Sequence, residues 1–237
     1  MIFWPEFSLS TQEIDAVTLS LWVAVIGMFA SLPLALTVAY ALARGRFWGK
    51  ALLNGFVHLP LILPPVVTGY FLLSLLGPQT WLGAVFAKFG VQFAFHWGGA
   101  ALAASVMAFP LFVRAIKLGL DAVDPKLEEA AATLGASRFW VFVTVTLPLI
   151  VPSLIAGMIL AFAKGFGEFG ATITLVANIP SQTQTLPSAI YALLQIPGGE
   201  RGALILIGIS VLLASLALAL AEVLGRSAAK RVAGRGV

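Results

Sequence analysis

The chain has 237 residues, of which 60% are hydrophobic and only 10% charged, with a formal net charge of +4 at pH 7. Soluble domains carry roughly a quarter of their residues as charges, so this composition excludes an ordinary soluble enzyme or binding module and leaves an integral membrane protein. There is no cysteine, and the two histidines, His58 and His96, are too few to build a metal centre, so neither disulfide nor metal nor other cofactor is expected.

Apolar runs lie at about 14 to 42, 51 to 77, 97 to 120, 149 to 176 and 202 to 225, each reaching the roughly 20 residues a helix needs to cross a bilayer. They predict an all-α integral membrane protein with five transmembrane helices, built as one domain over 1–237. The first run is expected to be retained, because "MIFWPEFSLSTQEIDA" has no basic start and no short apolar core followed by small residues. Residues 81 to 95 are too short and interrupted to cross and predict an outer interfacial helix, with Trp81 and Trp97 at headgroup depth. Between the last two runs, Leu186 to Ile196 predicts a short apolar helix that dips into the membrane without crossing. Prolines 33, 60, 64, 65, 110, 148 and 152 are expected to bend or break helices.

Lys and Arg set the orientation. Arg44, Arg46 and Lys50 follow the first run, Arg114, Lys117, Lys126 and Arg138 flank the middle segment, and Arg226, Lys230, Arg231 and Arg235 form the tail. Only Lys88 and Arg201 fall in the opposite loops. The amino terminus, with Glu6, Glu13 and Asp15, is therefore expected on the periplasmic face of a bacterial inner membrane, and the tail in the cytoplasm. The basic excess is a topology signal, and no nucleic-acid partner is expected.

Two sequences imitate nucleotide-binding loops. "GRFWGKA" at 45 to 51 has one residue too few between its glycines and ends on Ala51, where a magnesium-holding hydroxyl belongs. "GFGEFG" at 165 to 170 fits G-x-G-x-x-G but lies inside an apolar run with no strand before it, so its glycines are assigned to close packing or local unwinding. Lys164 and Glu168, four apart in that run, can pair on one helix face. Near the bilayer centre each costs about 2.5 to 3.5 kcal/mol, so both are expected to face protein or water; a structural pair and a gating role both remain open. The few titratable groups offer no nucleophile, base and orienting group together, so no catalytic activity is expected.

The segment from 124 to 148, "DPKLEEAAATLGASRFWVFVTVTLP", breaks the apolar pattern with an acidic, alanine-rich helix, a glycine and an aromatic run. Asp124 can cap a helix with Pro125 at its first position, Glu128 and Glu129 complement the early dipole, and Gly135 can end it in a left-handed turn. The alanines 130 to 132 offer a slim face that another protein can approach. Spacing and capping alone leave a docking helix and a simple interfacial helix open.

Within this segment, Glu129, Ala130, Ala131, Gly135, Leu147 and Pro148 resemble the EAA motif of ABC importer permeases, with Val145 standing where isoleucine is usual. The stretches 58 to 74, 107 to 128, 167 to 180 and 190 to 200 are similar to the molybdate branch of that family, so the resemblance runs nearly end to end. It implies the type I importer fold with cytoplasmic coupling helices and a short outer gate-like helix. It further implies two permease copies around a pore in the membrane lipid, two cytoplasmic ABC ATPase subunits seated against Glu128, Glu129, Ala130, Ala131, Gly135, Leu147 and Pro148, and a periplasmic molybdate-binding protein above. The expected function is alternating-access import of molybdate or tungstate, with ATP hydrolysed by the separate subunit. Transient donors to the oxyanion are sought among Thr68, Tyr70, Thr172, Thr174 and the backbone near Gly167 and Gly170, with Lys164 and Glu168 as gate candidates. A permease for sulfate or another oxyanion is the alternative; an ATP-independent channel or carrier is disfavoured by the shortage of intramembrane titratable groups.

Overall fold

The computed structural model describes residues 9–233, with Ala221 and residues 226–233 described by backbone course alone. Glu6, Arg235 and the side chains of Arg226, Lys230 and Arg231, used above for orientation, lie outside the described residues. Among those described, every regular element is helical.

Ser10 starts α1 (Thr11–Arg44) through a reciprocal cap: its Oγ accepts from the Glu13 N–H at 3.3 Å, and Glu13 Oε2 accepts from the Ser10 N–H at 2.7 Å. The run expected to cross over 51 to 77 is instead a bent pair, α2 (Lys50–Ile62) and α3 (Pro65–Leu76), with 113° between them. Pro64 and Pro65 have no N–H to donate, and Leu63 before them is extended at φ −72, ψ 143, so the helix cannot continue. The outer helix α4 (Trp81–Lys88) stops well short of residue 95, ahead of a left-handed turn at Gly90 (φ 73).

Beyond α5 (Trp97–Ala122), the chain makes the short α6 (Pro125–Thr133) and α7 (Arg138–Val141), then a π-helical turn (Phe142–Thr146) leading into α8 (Leu147–Phe166). The span expected over 149 to 176 is therefore displaced at both ends: the apolar helix runs Arg138–Phe166, and a separate α9 (Gly170–Val176) follows a break. Pro148 was expected to bend or break its helix. The backbone instead widens just before it, the Leu147 N–H reaching the Phe142 carbonyl five residues back, and the helix passes over the proline. The short α10 (Leu186–Leu194) lies where a dipping helix was expected, and α11 (Glu200–Ala233) closes the bundle. Among the described residues, four helices are long and apolar enough to cross a membrane, or up to five if the bent pair is one span. The all-α membrane architecture agrees with the sequence reading.

The core is built around α5, which packs against α1 on one side and α8 on the other. Phe112, Val113, Ile116 and Leu120 join Leu42 and Ile150 towards the basic end, while Ala100, Ala103, Ala104 and Met107 meet Val23, Leu175 and Val176 towards the other. Small residues let these helices approach: a Cβ added at Gly119 would fall 2.4 Å from Ser153 Cβ.

Candidate functional site

The segment from 124 to 148 sits at the basic end, outside the bundle. Asp124 Oδ1 accepts from the Lys126 N–H at 3.0 Å, and Pro125 occupies the first turn of α6, where its missing N–H costs nothing. The helix ends in a Schellman turn: the Ala136 N–H reaches the Ala131 carbonyl (3.3 Å) and the Gly135 N–H the Ala132 carbonyl (3.0 Å), with Gly135 left-handed at φ 88. A side chain at Gly135 would meet nothing within 4 Å. Ser137 then caps α7, its Oγ accepting from the Trp140 N–H at 3.5 Å.

Two kinds of residue make up this segment. Glu129, Ala130 and Ala132 are exposed and Ala131 is half-buried. Beside them Leu134 is 89% exposed, and Leu127, Phe139 and Trp140 are also exposed. Such a cluster of uncovered apolar side chains beside a polar helix is the kind of surface that a protein or a membrane covers. Glu128 points the other way. Its carboxylate takes Arg44 Nε at 3.1 Å, Arg44 Nη2 at 3.2 Å and Thr146 Oγ1 at 2.8 Å, and Arg44 Nη2 also donates to the Val123 carbonyl at 3.3 Å. One acid thus binds α6 to the end of α1 and to the π-helical turn. Leu147 and Pro148 are half-buried at the base of α8, with Leu147 packed on the core. Of the seven residues grouped for coupling, Glu129, Ala130 and Gly135 are exposed, whereas Glu128, Leu147 and Pro148 hold the segment in place. Arg44 and Thr146 carry no local sequence signal for this role, since Arg44 is 84 positions from Glu128.

The intramembrane candidates converge on two broken helices. Gly167 ends α8, so Lys164 and Glu168 do not share a helix as expected; Glu168 lies in the break. Lys164 Nζ still donates to Glu168 Oε2 at 2.5 Å, and Glu168 Oε1 accepts from the Ala171 N–H at 3.1 Å, capping α9. The Glu168 side chain is 1% exposed and that of Lys164 31%. A Cβ at Gly170 would lie 2.8 Å from Pro65 Cβ, and one at Gly69 would lie 2.5 Å from the Ala171 carbonyl oxygen, so α3 and α9 cross nearly backbone to backbone. Thr174 bonds back to the Gly170 carbonyl at 2.7 Å. Thr172 is buried, and Thr68 Oγ1, also buried, has no hydrogen-bond partner among the described residues. Tyr70, on the same helix, is exposed. Thr68, Gly170 and Thr174 thus belong to one crossing, Lys164, Gly167 and Glu168 to the break beside it, and Tyr70 to the outer surface of α3.

The family described as "Binding-protein-dependent transport system inner membrane component" matches residues 31–230. A molybdenum transport system permease protein of Escherichia coli is 54% identical over 228 residues, covering 96% of this chain and 99% of that protein. Its Haemophilus influenzae counterpart is 50% identical over 93% of this chain and 97% of that one. A sulfate transport system permease protein of E. coli is 35% identical over 81% of this chain and 69% of its own length. Among solved structures, a bacterial ABC transporter importing the polysaccharide alginate has a chain that superposes with a TM-score of 0.69 at 18% identity, covering 94% of this chain and 80% of that one. The inward-facing MetNI methionine ABC transporter gives 0.68 at 16% identity, covering 93% and 99%. The fold and the sequence agree: this chain belongs to the family of binding-protein-dependent transport system inner membrane components, the permease subunits of ABC importers.

Proposed function

We propose that the chain imports molybdate, with tungstate as a second substrate, as the permease of an ATP-driven importer. The single observation that carries the substrate is the 54% identity, over nearly the whole chain, to a permease named for molybdenum transport, against 35% to one named for sulfate. The full chain acts as one permease domain, and two copies enclose the pore. Two ATPase subunits cover the exposed face of α6 with Leu134, Phe139 and Trp140, and a periplasmic molybdate-binding protein delivers the anion at the other end.

The geometry supports this division of labour. ATP-driven closure of the ATPases draws the two copies of α6 together, and the Glu128 contacts to Arg44 and Thr146 pass that displacement to α1 and α8. The crossing of α3 and α9 around Thr68, Gly170 and Thr174 lies between broken helices, a construction suited to a gate. The expected outer and inner groups also gather at separate ends: Ser181 Oγ donates to Asp15 Oδ2 at 2.7 Å, whereas Arg44 meets Glu128 at the basic end. Periplasmic placement of the amino terminus and cytoplasmic placement of the tail follow from the basic residues. Single cysteines test it cleanly in a chain without any: position 182 is labelled by an impermeant thiol reagent in intact cells and position 132 is not, and the reverse pattern overturns the orientation.

The deciding experiment is uptake of labelled molybdate into vesicles holding the permease, its ATPase and its binding protein. ATP-dependent uptake blocked by excess tungstate and not by sulfate is the expected result. Block by sulfate at equal concentration reassigns the substrate, and uptake without the ATPase removes the importer reading altogether.

A further inference from the structure

A cleft of about 620 Å³ opens between α2 and α5 at the basic end, walled by Leu42, Ala51 and Leu118 and carrying Lys50, Asn54, His58, Arg114 and Lys117. Its cations are unevenly spent. Lys117 is paired with Asp121 at 2.5 Å, and Lys50 uses one donor on the Gly45 carbonyl at 3.1 Å. Arg114 has neither a hydrogen bond nor an ion pair among the described residues. His58 Nδ1 bonds the Asn54 carbonyl one turn earlier, at 2.8 Å, and its other ring nitrogen has no partner among the described residues. With Asp121 offsetting Lys117, the cleft keeps two positive charges.

Depth identifies the occupant. Arg114 lies eight residues before the end of α5 and His58 eight residues after the start of α2, so both stand roughly 12 Å along their helices from the basic end. An unpaired guanidinium at that depth is costly in hydrocarbon, and it is stabilised by an anion drawn down to it or by reaching up to one. Beside the mouth, in the loop joining α1 to α2, Trp48 is fully exposed and Phe47 is also uncovered, flanked by Arg46. Aromatic rings bare to the surroundings among cations are how a chain seats itself at headgroup depth. At roughly 30 Å³ per water, the cleft is far larger than one tetrahedral ion, and its walls suit glycerol and the upper acyl chain.

We propose that this cleft binds a tetrahedral phosphate-type oxyanion, supplied by the headgroup of an anionic phospholipid in the leaflet at the basic end. Arg114 and Lys50 grip the phosphate oxygens, Lys117 and Asn54 flank them, and Trp48 and Phe47 hold the rim in the interface. The inference rests on the membrane reading alone and stands whatever anion the transporter carries.

The test is lipid retention by the intact transporter, measured by native mass spectrometry after titration with phosphatidylglycerol or phosphatidylcholine. Phosphatidylglycerol is expected to be retained in preference to phosphatidylcholine and not displaced by millimolar inorganic phosphate or molybdate. Arg114→Gln should weaken it about five-fold, the effect of one cation near a membrane surface. Lys50→Gln, at the rim and tolerant of any folding fault at Arg114, should do the same, and Lys88→Gln at the opposite end should change nothing. Displacement by soluble phosphate or molybdate would assign the cleft to a free oxyanion and overturn the lipid source. Equal retention of both lipids, or retention indifferent to Arg114 and Lys50, would show that the cleft is no anion site.

Discussion

Two glutamates, each tied to a cation, sit in the two candidate regions of this permease, and they are held in opposite ways. Glu168 pairs with a lysine four residues earlier, is buried, and spends its second oxygen on the first turn of α9. Glu128 pairs with an arginine 84 residues away, stays about 20% exposed, and spends its remaining capacity on a threonine hydroxyl. The first is a fixture inside one stretch of chain; the second ties together three elements that are distant in sequence. Burial raises the cost of disturbing the first, and connectivity raises the number of elements that disturbing the second would loosen.

The largest effect on transport is expected outside both pairs, at the joint the second one carries. Gly135→Asp places a charged side chain in open space at φ 88, costing roughly 1 kcal/mol of backbone strain, too little to unfold the bundle. Set against an ATPase, that same side chain occupies the docking face. Molybdate uptake should fall to background while insertion and dimer formation persist. Full uptake would show that the exposed face of α6 is an ordinary loop surface.

The largest effect on folding is expected at Glu168. Removing one partner of a buried pair costs about 3 to 5 kcal/mol when the pair is dry, and Lys164, being partly exposed, moves Glu168→Gln towards the lower figure. Folded yield after detergent extraction should drop, and Lys164→Met with Glu168→Leu should recover only part of it, because leucine cannot accept the Ala171 N–H. Normal yield in every variant, with transport gone, would make the pair a gate instead of a fixture. Next comes Gly69→Ala, whose new Cβ would lie 2.5 Å from a backbone oxygen of α9. Overpacking of that kind costs about 1 to 3 kcal/mol, read as a lowered thermal midpoint; an unchanged midpoint would mean that the α3–α9 crossing is loose.

What the sequence disclosed follows the same division between near and far. The cap at Asp124, the first-turn proline and the left-handed Gly135 are all encoded within a dozen residues, and each was legible. The Lys164–Glu168 pairing was legible too, although the break at Gly167 was not, because a glycine in an apolar run marks packing as readily as an end. The displaced start of the span that ends in α8 has a local cause that misleads: Pro148 reads as a breaker, and only the π-helical turn before it lets the apolar helix run on from Arg138. The 113° bend after Ile62 had its prolines as a signal but not its size. The ion pair between Arg44 and Glu128 had no signal, since nothing in either neighbourhood names a partner 84 positions away.

The smallest effect sharpens the contrast between adjacent acids. Glu128 and Glu129 both sit early in α6 and contribute alike to its dipole, yet Glu128 accepts three side-chain hydrogen bonds and Glu129 none among the described residues. A partly exposed pair contributes only about 1 kcal/mol, so Glu128→Gln should lower stability by about that much and Glu129→Gln by almost nothing. The pairing itself is isolated by a cycle in which Arg44→Gln and Glu128→Gln are made singly and together. A coupling of about 1 kcal/mol is expected, with the double variant no worse than either single one. The functional ledger should run differently: if Glu128 transmits motion, Glu128→Gln lowers molybdate uptake per ATP hydrolysed, whereas Glu129→Lys weakens ATPase capture without changing that ratio. Zero coupling in the cycle, with an unchanged ratio for Glu128→Gln, would reduce the contact to a surface ion pair and leave α6 joined to the bundle by its backbone alone.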